Sequence, residues 1–126
     1  MEPDLAQVLE KIRRADLWEF MGVEVNGPNV RGSSFNQTPL HVVAVWGDVE
    51  AARILLDAGA EIDVSGEDDF TALHEAIEQG HVEMVRLLVA RGADLQRRCE
   101  FGNALDLAST AENPEFLKIV QAALPV

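Results

Sequence analysis

With 126 residues, 48% of them hydrophobic, the chain is the size of one domain and apolar enough to pack a core. No run approaches the ~18 apolar residues of a membrane span, the charge-studded N-terminus is no secretory signal, and the single cysteine, Cys99, builds neither an intrachain disulfide nor a cysteine-caged zinc site. Twenty-two acids against ten bases give a formal charge of −12, which disfavours nucleic acids and anionic membranes, since both recruit Lys and Arg.

Leu5, Val8, Leu9 and Ile12 follow the i, i+3, i+4, i+7 stripe of an amphipathic helix. With Trp18, Phe20 and Met21 they are expected to form the core of an N-terminal cap over 1–37. At Thr38 a recurring pattern begins. Thr38-Pro39-Leu40-His41 stands 33 residues before Thr71-Ala72-Leu73-His74. The same offset superposes Gly47-Asp48-Val49-Glu50 on Gly80-His81-Val82-Glu83, Arg53-Ile54-Leu55-Leu56 on Arg86-Leu87-Leu88-Val89, and Gly59-Ala60-Glu61-Ile62 on Gly92-Ala93-Asp94-Leu95. Thr38 and Thr71 stand where a helix wants an N-cap oxygen, and Pro39 brings the preset φ of a first helical residue. A short helix is predicted to run to about Trp46, where Gly47 ends it. A second, over about 49–58, buries Val49, Ala52, Leu55 and Leu56. Gly59 and Gly92 serve as C-caps. A third copy opens at Asn103-Ala104-Leu105-Asp106, offset by 32, and Gly22-Val23-Glu24-Val25-Asn26 is a faint preceding echo. Helices this short are marginal alone, so neighbouring copies must bury each other's faces.

The period of 33 residues opened by Thr-Pro-Leu-His resembles the ankyrin repeat, on residues 38–64 and 71–95. The resemblance implies an all-α solenoid of about three helix-turn-helix repeats with β-turn fingers. It divides one domain into a divergent helical cap at 1–37, repeats at 38–70 and 71–102, and a capping repeat at 103–126. The last copy departs from the pattern with Asn103 for Thr, Asp106 for His and Pro114 for Val. Terminal repeats must cover the exposed core, and Glu112, Glu115, Lys118 and Gln121 fit a polar outer face. The resemblance also makes Thr38, His41, Thr71 and His74 structural, the histidines being hydrogen-bonding ties between repeats. At about 10 Å, the spacing of adjacent helices, these two rings stand too far apart to share a zinc ion. His81 falls at a helix start.

Chemistry is scarce. Ser33, Ser34, Ser65, Ser109 and Cys99 are the nucleophile candidates, but none sits in a G-x-S-x-G elbow or a Cys/His motif. No phosphate-cradling glycine loop occurs. The expectation is a protein with no catalytic residue, no resident metal and no cofactor, acting in the cytoplasm. Asp63, Glu67, Asp68 and Asp69 supply hard oxygens, yet their spacing fails the EF-hand loop; they read as a solvated hairpin tip or a partner contact.

Between Asp48 and Glu83 there are eleven acids and one base, Arg53. This is either a solvating surface or a field that steers in a partner with a basic face. The ankyrin resemblance turns Val45 and Trp46, with their counterparts Glu78 and Gln79, into a concave groove, and makes fingers of the connections holding Phe35, Phe70 and Phe101. An exposed Trp is a common binding hot spot, although Trp46 is equally explained by packing on the 27–37 loop. The candidate contact set is Val45, Trp46, Asp63, Glu67, Asp68, Asp69, Phe70, Glu75, Glu78, Gln79, Arg98, Glu100 and Phe101; Arg97 and Arg98 form the one local basic patch. The function expected is binding of another protein by a chain that is monomeric when free. With nothing flanking the repeats, a small acidic binder fits an inhibitor or immunity protein that neutralises a basic partner such as a toxin or nuclease. The alternative is an adaptor docking a neutral or apolar motif around Val45 and Trp46.

Overall fold

The computed structural model of the chain describes residues 3–33 and 36–124. Its helices are α1 (Leu5–Arg14), α2 (Pro39–Trp46), α3 (Val49–Asp57), α4 (Ala72–Gln79), α5 (Val82–Ala90), α6 (Ala104–Thr110) and α7 (Glu115–Ala123), with short 3-10 turns at Trp18–Phe20 and Glu67–Asp69. Four of them open on one device. At the head of α2, the Thr38 hydroxyl accepts the His41 N–H while the Thr38 N–H donates to His41 Nδ1 at 3.1 Å. Thr71 and His74 repeat this on α4, Asn103 and Asp106 on α6, and Asp4 and Gln7 on α1. Each pair satisfies two backbone donors that a helix start would otherwise leave unpaired. The departures of the last copy therefore keep the box: Asn103 and Asp106 are themselves a donor–acceptor pair of the required reach.

Two helix ends are set by glycine. Gly47 and Gly80 close α2 and α4 with φ of +74° and +81°, a region costly for any residue with a Cβ. Gly47 has a second constraint: a Cβ there would lie 2.6 Å from the His81 ring. That ring lies against Gly47 because its Nε2 donates to the Val45 carbonyl at 2.8 Å. His81 thus provides no side-chain cap for α5, as its place at the helix start suggests, but ties one repeat's loop to the next.

The helices stack in two layers. α2 packs on α4 and α4 on α6; α1 packs on α3, α3 on α5 and α5 on α7; antiparallel partners α2/α3, α4/α5 and α6/α7 join the layers. Leu40, Val43, Ala52, Leu55, Leu73, Ala76, Val85, Leu88, Phe116 and Val120 are fully enclosed between them. The cap differs from expectation. Val8, Leu9, Ile12 and Phe20 are buried, but Trp18 is 56% and Met21 73% exposed. The α1 stripe already fills the face beside α3. In a 3-10 turn successive side chains point about 120° apart, so the Trp18–Phe20 turn sends only Phe20 inward. Among the described residues no helix is long and apolar enough to cross a membrane.

Candidate functional site

The capping boxes do more than start helices. Because His41 Nδ1 accepts from the Thr38 N–H, its proton sits on Nε2, which donates to the Phe70 carbonyl at 2.9 Å. His74 likewise accepts from Thr71 and donates to the Arg97 carbonyl at 3.0 Å. Burial holds both imidazoles below the usual histidine range, so the neutral tautomer that this arrangement requires is the one favoured. Each histidine thereby ties the connection ahead of the next repeat to its own helix and fixes where that finger stands.

Charge is sorted by layer. None of α2, α4 and α6 carries a Lys or Arg, whereas Lys11, Arg13, Arg14, Arg53, Arg86, Arg91 and Lys118 lie on or cap the opposite layer. There they pair with Asp48, Glu10, Glu50, Glu83, Glu115 and Asp57. Glu67, Asp68, Glu75 and Glu78 form ion pairs with no base among the described residues. Glu75 is the telling member. Aligned by the repeat it stands opposite Val42 and Leu107, both buried, so one carboxyl interrupts an apolar column. Burial, reinforced by the charges of Glu67, Glu78 and Asp68, pushes it up to about 7. The four acids therefore share one face, the finger side of α4, and repel one another across it.

A second feature adjoins them. The Cys99 and Gly102 backbones bond to each other in both directions, at 2.8 and 3.1 Å, and Gly102 takes φ +118°. This tight hairpin is tied to the preceding finger by the Glu100 N–H, which donates to the Asp68 carbonyl at 2.9 Å. It holds Phe101 at its tip, 63% exposed, edge-on to Phe70 with centroids 5.9 Å apart.

The structure gathers part of the predicted contact set and disperses the rest. Glu67, Asp68, Glu75, Glu78, Glu100 and Phe101 come together; Asp69 is exposed beside them. Gln79 lies with Glu78 in a neighbouring cleft against α6. Phe70 requires correction: it is 7% exposed, and its ring supports Phe101 and His74 from below, so it is not offered to a partner. Asp63 accepts the Asp94 N–H at 2.8 Å, in a cleft with Arg31 and Arg97, apart from the α4 face. Arg98 reaches Asp106 at 3.6 Å. Val45 and Trp46 lie at the far end of α2, where Lys11 stands 5.5 Å from the Trp46 ring centroid and pairs with Asp48 at 2.7 Å, leaving the indole 36% exposed. Phe35 falls outside the described residues. Sequence reasoning passed over three features: the apolar company of Glu75, which aligning Val42, Glu75 and Leu107 reveals; the base-free inner layer; and the tie from His81 to Val45.

The arrangement gathers carboxylates and an exposed aromatic ring on one face. Burial raises the Cys99 thiol, the reverse of what a thiolate nucleophile needs. Among the described residues no three His, Cys, Asp or Glu side chains converge on a metal position.

Comparison with known proteins agrees with this architecture. A family model described as ankyrin repeats (three copies) matches residues 17–99 and 68–122. The chain is 31% identical over 121 residues to the probable E3 ubiquitin-protein ligase XBOS32 of Oryza sativa subsp. japonica, covering 92% of this chain and 24% of that protein. It is 28% identical over 117 residues to the BRCA1-associated RING domain protein 1 of Caenorhabditis elegans, covering 92% and 16%. It is 29% identical over 122 residues to protein phosphatase 1 regulatory subunit 27 of Mus musculus, covering 94% and 77%. The first two relatives are thus far longer than the segment they share with this chain.

Proposed function

The chain belongs to the ankyrin-repeat family, whose repeats are protein–protein interaction modules, and on that premise we propose that it binds a protein with a basic surface through the finger side of α4 and neutralises it. The binding is non-catalytic. One observation carries the reading: the inner helices hold no base, the outer layer pairs its acids internally, and Glu67, Asp68, Glu75 and Glu78 are left on one face with no basic partner among the described residues. Burial, with the crowding of like charges added to it, lifts the Glu75 carboxyl to about 7 and costs stability, and a cationic surface arriving there relieves the repulsive part. An enzyme that binds phosphates, such as a toxin nuclease, offers such a surface at its active site, and covering it would inhibit. The mouse relative is by name a regulatory subunit of a phosphatase, a precedent for acting on an enzyme by binding it. Docking of an apolar motif at Val45 and Trp46 is less favoured, because the Lys11 ammonium already stands over part of the indole.

The test is affinity capture from native lysate at about 50 and about 300 mM salt, using the native chain and a variant with Glu75→Lys and Glu78→Lys. A basic protein that binds more weakly at high salt and is lost to the variant is the expected result. Capture indifferent to both salt and charge reversal would overturn the reading and return attention to Trp46.

A further inference from the structure

A cleft of about 530 Å³ opens between α4, α6 and the Cys99–Gly102 hairpin, lined by Glu78, Phe101, Asp106, Leu107, Ser109 and Thr110. Every polar group in it is an acceptor. The Ser109 hydroxyl donates to the Leu105 carbonyl at 2.7 Å and the Thr110 hydroxyl to the Leu107 carbonyl at 3.1 Å, so only their lone pairs remain to face the cleft. Asp106 accepts the Asn103 N–H at 3.0 Å, and Arg98 approaches it at 3.6 Å. Glu78 has no such companion among the described residues. Phe101 is the one large aromatic exposed here, and the two-way bonding of its hairpin and its edge contact with Phe70 keep the ring in place.

We propose that this cleft is the seat of one arginine side chain of the partner protein. A guanidinium presents five donors and no acceptor in a planar fork, and its flat face stacks on aromatic rings. In the cleft it stacks on Phe101, donates to the Glu78 carboxylate, and lays its aliphatic stem on Leu107. A lysine ammonium lacks the plane that Phe101 matches, and an uncharged isostere lacks the charge that Glu78 requires. The protein's own Arg98 guanidinium already reaches one carboxylate of the cleft, that of Asp106. The assignment rests on the proposed reading that the partner is basic and narrows it to one anchor.

The experiment titrates N-acetyl-arginine amide into the isotope-labelled full chain and follows backbone amide shifts, with the lysine and citrulline amides as comparisons and a Lys-Gly repeat peptide as a polycation without arginine. Expected are saturable shifts at Glu78, Phe101 and Thr110 with arginine, at least threefold weaker binding of lysine, and none of citrulline. Glu78→Gln should weaken the arginine probe at least fivefold and Phe101→Ala at least threefold, whereas Glu83→Gln, on the opposite layer, should leave it within twofold. Amide dispersion verifies that each variant is folded. Shifts centred elsewhere, or equal effects of Glu78→Gln and Glu83→Gln, overturn the seat; if the Lys-Gly peptide still binds the α4 face, the basic-partner reading survives that result. If neither probe binds, both fall.

Discussion

At the scale of the residue, two kinds of ionisable group oppose each other. His41 and His74 are held neutral by burial and by the Thr N–H aimed at Nδ1. Below pH 6.5 the unfolded chain binds protons that these folded rings refuse, so the stability they confer is complete above that value and is lost as pH falls through their depressed folded values. Glu75 works the other way. Its folded carboxyl titrates near 7 against the ordinary 4.5 of a glutamate, so the fold binds the extra proton and loses stability as pH rises between those values. Glu75→Leu, which restores the apolar column of Val42 and Leu107, is therefore expected to stabilise the protein at about pH 8 by roughly 1–2 kcal/mol, with solvent screening at this half-buried site allowed for. Thermal melting across pH reads both effects. In the Glu75→Leu variant the loss of stability as pH rises from 4.5 to about 7 should vanish, and the loss as pH falls below 6.5 should persist; if that second loss disappears as well, the histidines do not carry it.

At the scale of the element, helices of seven to ten residues persist because of their neighbours. Propensity alone leaves such lengths marginal, so their stability lies in enclosed side chains and in the ties between loops. Leu88, with no exposed surface, is expected to cost about 2–5 kcal/mol on truncation to Ala. Trp46→Ala should cost less despite the larger side chain, since its ring is already partly in solvent beneath Lys11. Chemical denaturation of the two variants decides this. A larger loss for Trp46→Ala would mean that the Lys11, Trp46 and Asp48 cluster holds α1 to the stack more firmly than its exposure suggests.

At the scale of the whole molecule, a charge of −12 distributed with seven of the ten bases on one layer makes the two layers electrically unlike. Self-repulsion on the α4 side opposes folding, and salt screens it. Raising salt from about 20 to about 300 mM is expected to lift Tm by a few degrees while weakening capture of a basic partner. Opposite signs for folding and binding are the mark of a face kept repulsive in the free protein. If Tm falls with salt, the outer ion pairs outweigh the unpaired acids.

Much of this was legible in the residues. The offset of 33 places Thr38 over Thr71 and His41 over His74, and capping is local: a threonine and a histidine three apart settle a helix start among themselves. The stripes of Val8, Leu9 and Ile12 and of Ala52 and Leu55 name buried faces because the helical period puts them on one side. The acid excess and the absence of catalytic motifs are also matters of composition and spacing. What the sequence could not settle depends on segments far apart in the chain. The 3-10 turn turned Trp18 and Met21 outward because α1 had filled the available face. Phe70 sank beneath Phe101 because His41 drew its carbonyl inward. Glu75 acquired its charged neighbours from one finger, at Glu67 and Asp68, and from its own helix, at Glu78. Local patterns specify which helices form; which acids face one another, and which aromatic ring is left exposed beside them, was decided only when the repeats stacked.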